Sequence, residues 1–545
     1  MRMIYSDRGP SPLDVQKPAG ERDSTAGKWG AFSIETFASA SSLRLTHEDA
    51  TGFLAYLLQF SDRNFWFADA GVAVWAYEET YDNWQDRYGM DAVMAAYHSG
   101  HGTMLGDGTF VAPMGAKWDN RTDARSNTMK LGNEKVNYVF WSTCLSCRVL
   151  DGHSPVRTWG GPNLGFRMLF GFETVSIDNA NYGKFFWEEW RKNKTFAQAW
   201  LDASWRIYTR QAPSVTACGA TRDEAVNRLN TERLLSADHV HDDWYAWRWY
   251  NASTSAREAT LDVPSQPSVV ELAPRSPSEE LAALGQRADF GQRSLAEVEI
   301  DRLGVASATE GERQIATGPQ GNRWLKLADA NLANREAIDE ERAIDIARDF
   351  ARRQHEQGLG QGAGQDSDLV LDGVHHLMQC CGSKDGKIEK PQRLETLVTF
   401  RQTFDGIPVV TPGRGEIRVS VDNDGTIVSA QLSTREAVRT SGRLKTAATE
   451  PSPQGAKLPS GSTPPLTPPE EALDAAQARL IAELDIRTPA DGGIGRGEPV
   501  EVPGSKEVGY EIEGNEAYLA ARKLVEFTDD NGYVSRHWVV APLAR

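Results

Sequence analysis

Along the first half of the chain, short uninterrupted apolar runs alternate with stretches whose apolar positions recur at three and four residues, the pattern of buried strands followed by amphipathic helices. Ala31-Phe32-Ser33-Ile34-Glu35-Thr36-Phe37 reads as a strand. Thr46–Phe60 reads as a helix, with Thr46 and Asp49 as an N-terminal cap pair and Phe53, Leu54, Leu57 and Leu58 on one face. Further strands are predicted at Ala70–Trp75, Ala92–Tyr97, Val136–Trp141 and Phe170–Ile177, with a hairpin around Gly106-Asp107-Gly108 and helices at Tyr182–Lys192 and Phe196–Tyr208. Apolar strands alternating with helices predict an α/β fold, a three-layer sandwich around a mostly parallel sheet.

The pattern then changes. Residues 1–27 are polar, carry Pro10, Pro12 and Pro18, and read as a flexible arm before an α/β domain at 28–250. Residues 251–321 are rich in Ser, Pro, Ala and Glu and read as a linker with a short helix near Ser278–Leu284. The rest holds a weak internal repeat of a helix followed by hairpin signals, an α+β pattern. One unit covers 322–445, with a helix starting near Ile338 and hairpins around Asp405-Gly406 and Asn423-Asp424-Gly425; the other covers 468–545, with a helix after Pro468 and a turn at Asp529-Asp530-Asn531-Gly532. A Pro-rich spacer, 446–467, separates them.

Composition agrees with several domains: 545 residues exceed what one core of about 250–300 residues accommodates. Fourteen of the 16 tryptophans lie between Trp29 and Trp249, which marks that half as the better packed. A net charge of −17 argues against nucleic acid or an anionic membrane as partner. No apolar run reaches about 18 residues and the N-terminus turns polar at once, which predicts a soluble, cytoplasmic protein. Five cysteines, Cys144, Cys147, Cys218, Cys380 and Cys381, are too few for a disulfide framework and fit a reducing compartment.

The chemistry concentrates at two strand ends. Ala92–Tyr97 leads into His98-Ser99-Gly100-His101-Gly102, and Val136–Trp141 leads into Ser142-Thr143-Cys144-Leu145-Ser146-Cys147. A parallel sheet gathers function at the carboxyl ends of its strands. If the two strands are neighbours, His101 meets Cys144, and an imidazole beside a thiol, with a free N–H at Gly102 for an oxyanion, is the equipment of nucleophilic thiol catalysis.

Tyr97-His98-Ser99-Gly100-His101-Gly102 and Ser142-Thr143-Cys144 resemble the His-Gly and S-x-C segments of the caspase-like cysteine peptidases of clan CD, the group of metacaspases, gingipains and CHAT-domain proteases. Leu169-Phe170-Gly171-Phe172-Glu173-Thr174 and Ala197-Gln198-Ala199-Trp200 are similar to an uncharacterised bacterial family with the same arrangement. The resemblance spans about Trp29–Arg233 and implies His101 as general base and acid, Cys144 as nucleophile and Gly102 as oxyanion donor. The acidic residue that metacaspases place before the cysteine is absent, which weighs against a basic P1 preference. The C-terminal units resemble PepSY or propeptide-like modules, carried by Asp339–Ala347, Thr399–Val409 and the Asp422–Val428 turn, and imply a regulatory or partner-binding role.

Competing readings stand beside these. His98, His101, Cys144 and Cys147 have the residue types and spacings of a tetrahedral zinc site. Glu173, Asp178 and Asp151 sit near strand ends, the first two as candidate substrate-binding residues. His375-His376 with Cys380-Cys381 is metal-like in composition, but adjacent strand residues point to opposite faces. His239-x-His241 with Asp242-Asp243 reads as a solvated turn, and Trp244–Tyr250 as the segment that seals the first domain. The resulting expectation is a cysteine endopeptidase without cofactor, acting on a protein or peptide, with its own linker as a possible target. The alternatives are a catalytically silent binding module and a structural zinc protein.

Overall fold

Trp29–Ser33, Ala95–Ser99, Tyr138–Ser142 and Met168–Phe172 are buried at every position, which is why they read as apolar runs rather than as alternation. The computed structural model describes residues 2–5, 10–13, 28–251, 269–441, 467–487 and 494–543, apart from residues 275, 292–294, 296, 302–303, 319–320 and 359–366. With Phe65–Ala68, these strands run parallel in the order Phe65–Ala68, Trp29–Ser33, Ala95–Ser99, Tyr138–Ser142, Met168–Phe172. Helices Thr46–Leu57, Tyr182–Trp190 and Phe196–Trp205 cover one face through a core containing Trp29, Tyr97, Phe140 and Phe170. The Phe140 and Phe170 rings stack with centroids 4.1 Å apart. On the other face Phe32, Val139, Trp141 and Leu169 pack against Val74, Tyr77, Phe110 and Trp159. This layer is built from short helical turns and a small antiparallel sheet, Thr103–Met104, Phe110–Trp118 and Arg121–Arg125. The expected three-layer α/β sandwich is present.

Several local expectations change. The strand expected at Ala70–Trp75 lies earlier, at Phe65–Ala68, and 3₁₀ turns follow at Asp69–Gly71 and Val74–Ala76. Asp69 takes φ 45°, and its carboxylate accepts from the N–H groups of Glu35 (2.8 Å) and Thr36 (2.9 Å), an arrangement a continuing strand would not provide. Two unanticipated elements, strand Pro213–Gly219 and helix Arg222–Thr231, complete the first unit.

Trp244–Tyr250 does not seal a domain. It lies between Pro213–Gly219 and Ser367–Ser383, antiparallel to both, so the sheet continues from the first unit into the C-terminal half. It runs on through Gln392–Phe404, Glu416–Asp422, Ile427–Leu432 and Arg323–Lys326, all antiparallel. The sheet as a whole is therefore mixed, parallel around the candidate site and antiparallel beyond it.

The linker expectation at 251–321 is corrected. Residues 252–268 lie outside the described residues, but Val269–Leu272, helix Pro277–Arg287 and strands Glu297–Ile300, Ala306–Glu310 and Arg313–Thr317 are folded. Leu281 and Leu284 bury one face of that helix, and Ser276 caps it by accepting from Glu279 N–H. Part of the arm is also ordered, since Arg2–Tyr5 pairs in parallel with Glu297–Ile300. The spacer 446–467, except Thr467, lies outside the described residues.

Both C-terminal units consist of a helix against an antiparallel sheet, as expected. Helix Glu340–Gly358 covers the long-stranded sheet, and Pro469–Ile486 covers Glu507–Glu513, Glu516–Thr528 and Val534–Pro542. Among the described residues no helix is long and apolar enough to cross a membrane.

Candidate functional site

Ser99 pairs with Ser142 across the parallel strands Ala95–Ser99 and Tyr138–Ser142. His101 and Cys144 each lie two residues beyond that pair, so both emerge at the same level of the carboxyl edge. Gly100 N–H donates to the Ser142 carbonyl (3.4 Å), which holds the two exits together. Gly102 lies close against the second exit: a Cβ there would stand 2.7 Å from the Cys144 carbonyl oxygen and 2.7 Å from the Phe110 ring. Immediately after Cys144 the chain turns through Leu145 at φ 58°, a left-handed conformation that costs energy for a residue with a side chain. Cys147 N–H then donates to Phe172 O (3.0 Å) and Leu145 N–H to Thr174 O (3.2 Å), which fixes the turn on the neighbouring strand. Among the described residues neither the Gly102 nor the Cys144 N–H has a hydrogen-bond partner. Free N–H donors beside a thiol are the groups that can receive a developing oxyanion in acyl transfer.

His101 is oriented by a main-chain atom. Its Nε2 lies 2.9 Å from the Ser41 carbonyl, which can only accept, so Nε2 carries the hydrogen and Nδ1 keeps its lone pair. Phe37 packs on the ring at 4.9 Å between centroids. Burial, partly opposed by Asp529 and the Ser41 hydrogen bond, lowers the imidazole pKa to about 4. Burial also raises the Cys144 thiol, against the pull of Ser176. His101 is 1% and Cys144 5% exposed. In this form the pair is a neutral imidazole and a protonated thiol.

Both residues line a cavity of about 20 Å³ together with Asp49, Ser99, Ser142 and Tyr182. That is room for a water molecule and not for a peptide. Asp49, at the start of helix Thr46–Leu57, is fully buried and accepts from Tyr97 Oη and Ser99 Oγ (both 2.9 Å) and from Gly183 N–H (2.8 Å). Burial still raises its carboxyl to about 6.

The remaining candidates separate. Asp178 lines the same cavity, but its carboxylate accepts from the N–H groups of Arg44 (2.9 Å) and Leu45 (3.1 Å) and lies 3.3 Å from His537 Nδ1. Glu173 is outside the cavity, where it accepts from the N–H groups of Val149 and Leu150 and faces Arg148 at 3.5 Å. Asp151 is a surface residue paired with Arg148 at 3.1 Å.

The zinc set does not converge. His98, inside its strand, points to the opposite face, where Nδ1 lies 2.7 Å from Tyr77 Oη, and Cys147 lies 3.3 Å from Thr216 Oγ1. Among the described residues no group of three or more His, Cys, Asp or Glu could hold a metal ion. Cys380 and Cys381 enter the cores on opposite faces of the sheet, as adjacent strand residues must. His239 Nε2 meets the Glu134 carbonyl at 3.0 Å on the surface, and Asp242 pairs with Lys384.

Three contributors escaped the sequence reading. Asp49 was taken only as a helix cap, and Ser41 contributes through a carbonyl that no motif marks. The third is a segment more than 380 residues from Cys144 in the chain, the end of the hairpin Glu516–Thr528/Val534–Pro542, which lies over the cavity: the Cys144 thiol donates to Val534 O at 3.6 Å.

Residues 31–251 match the model of a family described as a domain of unknown function (DUF6345), a span that begins in the first buried strand and ends one residue after Trp244–Tyr250. No curated protein matches the chain.

Proposed function

We propose that the chain is a cysteine endopeptidase of the caspase-like kind, with Cys144 as nucleophile, His101 as proton carrier and the N–H groups of Gly102 and Cys144 as the oxyanion receptor. The observation that carries this reading is the matched placement of His101 and Cys144, each two residues beyond the Ser99–Ser142 pair, with the imidazole aligned by the Ser41 carbonyl. Nδ1, left with its lone pair, takes the thiol proton as the sulfur attacks the scissile carbonyl. The oxyanion forms at the free N–H groups, and the imidazolium returns the proton to the departing amine as the C–N bond breaks. Water, deprotonated by the same imidazole, then cleaves the thioester and releases the acid. Asp49 accepts from Tyr97 Oη and Ser99 Oγ, both on the strand that leads to His101, and so ties that strand exit to helix Thr46–Leu57.

The C-terminal units are read as PepSY-like modules that control access, the substrate as a protein or peptide, and the setting as cytoplasmic. Cleavage of a peptide library by the chain and by Cys144→Ala and His101→Gln tests this reading. Both variants are expected to lose cleavage, and undiminished cleavage by Cys144→Ala overturns the assignment of the nucleophile.

A further inference from the structure

The surface that should receive an extended peptide is already covered from within the chain. Val534 O accepts from the Cys144 thiol at 3.6 Å, and two residues on, Arg536 bridges in parallel to Ile177, its carbonyl accepting from Asp178 N–H at 2.9 Å. The Arg536 guanidinium donates to Val175 O at 3.4 Å. A strand thus lies along Val175–Asp178, the backbone edge that passes the thiol, joined to it by one main-chain hydrogen bond of the kind by which sheets recruit peptides. The turn ahead of this strand fastens to the loop that aligns His101. Asp529 Oδ2 accepts from Ser41 N–H at 2.8 Å, and Asn531 Nδ2 donates to Ser39 O at 2.9 Å. The Tyr533 ring lies 6.0 Å from the His101 ring, centroid to centroid. What remains between strand and thiol is a cavity of about 20 Å³.

We infer that the hairpin Glu516–Thr528/Val534–Pro542 is the site's own occluding strand: Val534–Arg536 occupies the path of an extended peptide substrate, and the thiol becomes reactive when the hairpin lifts. This inference rests on the peptidase reading for its functional meaning, though not for its geometry. The Val534 carbonyl meets the sulfur with its oxygen, as a hydrogen-bond acceptor. That is the wrong end for nucleophilic attack, so the strand covers the thiol without being cleaved. Its hold combines these polar contacts with apolar ones: Leu524 and Tyr533 enter the cores on the two faces of the parallel sheet, and the Trp538 ring packs on Tyr208 at 5.3 Å between centroids. Opening at the turn end, Asp529–Arg536, breaks only the polar contacts and the Tyr533 packing, which are individually modest, and leaves Leu524 and the sheet under helix Pro469–Ile486 in place. The same edge, Val175–Asp178, is then free to pair with a substrate in extended conformation.

Alkylation of the full chain by iodoacetamide, with the modified cysteine located by peptide mapping, tests this. In the double variant Asp529→Ala/Tyr533→Ala, labelling of Cys144 is expected to rise by about tenfold or more over wild type while Cys147 and Cys218 stay unlabelled. Hydrolysis of the peptide library is expected to rise with it. Faster labelling without hydrolysis upholds the occlusion and overturns the peptidase reading. Unchanged labelling in a folded variant overturns the occlusion, whether or not the wild type cleaves peptides. Should the variant not fold, wild type in urea below its unfolding transition decides: Cys144 labelling and hydrogen exchange of the Asp178 amide, which is bonded to Arg536, are expected to increase together with a shallow urea dependence. If both appear only with global unfolding, the inference fails.

Discussion

The faces of the parallel sheet and its carboxyl end take their chemistry from the same two short segments, yet they use it in opposite ways. His98 and Cys147 enter the second face: His98 is fully buried against Tyr77 and Trp141, and Cys147 lies against Thr216. His101 and Cys144, three residues away in each segment, stand at the strand ends around a small cavity. Burial lowers the His98 imidazole to about 3 and raises the Cys147 thiol to about 11, so both are held neutral with no route to solvent. Position relative to the strand end, not residue type, decides which histidine and which thiol are available. At the end of the sheet the two groups are covered by a hairpin from the C-terminal half, and on its face by the packed core itself.

The largest effect should separate the two cysteines. With the hairpin loosened, Cys144→Ala is expected to reduce peptide hydrolysis by about 10³-fold or more, while Cys147→Ala keeps it and loses under about 2 kcal/mol of stability. Equal losses in rate would erase the distinction between face and end. Next in size is the face itself. Phe140 is fully buried and stacked on Phe170, so Phe140→Ala should cost about 3–5 kcal/mol in denaturant unfolding of the full chain. A cost below about 1 kcal/mol would mean that the aromatic layer is not the rigid base of the site.

Gly102→Ala probes the seam between the two strand exits. The added methyl would press on the Cys144 carbonyl at 2.7 Å, so hydrolysis is expected to fall by about 10- to 100-fold with the fold retained by circular dichroism. Wild-type rates in Gly102→Ala would show that the close approach of residue 102 to the Cys144 carbonyl does not set the geometry of the site.

The smallest effect concerns pH. His98 has a folded pKa of about 3, below the ordinary 6.5, so it contributes stability in full above pH 6.5 and loses it as pH falls from 6.5 toward 3. Asp49, raised from 3.8 to about 6, acts in the other direction: the folded state takes up its proton first, and acidification from pH 6 to 4 stabilises. His98→Asn should therefore flatten the acid limb of the stability profile, and Asp49→Asn should steepen it. Two unchanged limbs would show that neither group is buried as described.

What the sequence made legible follows the same division. The strands Ala95–Ser99 and Tyr138–Ser142 were readable because burial on both faces produces unbroken apolar runs, and motifs at their ends pointed to His101 and Cys144. Pro213–Gly219 was not, because Pro-Ser-Val-Thr-Ala-Cys-Gly carries no period that separates strand from loop. The elements Val269–Leu272 and Glu297–Ile300 were hidden by a composition that resembles a linker, their pairing partners being strands distant in sequence. Within the site, the Ser41 carbonyl was invisible because a backbone atom leaves no mark in residue type. Asp529 read only as part of a hairpin turn and Val534 only as part of the strand after it, since nothing local to Asp529–Val534 indicates docking on a loop near residue 40. Residue type identified the groups with chemistry, and only tertiary structure showed what aligns and covers them.

Trapping the acyl-enzyme tests the central claim most directly. The chain with its hairpin loosened by Asp529→Ala/Tyr533→Ala is mixed with an activated peptide ester, quenched in acid within the first turnover and mapped by mass spectrometry. The account predicts the acyl group on Cys144, absent when His101 is replaced by Gln and absent from Cys147. Ester turnover with no acyl group on Cys144, or with acylation of another residue, would contradict it.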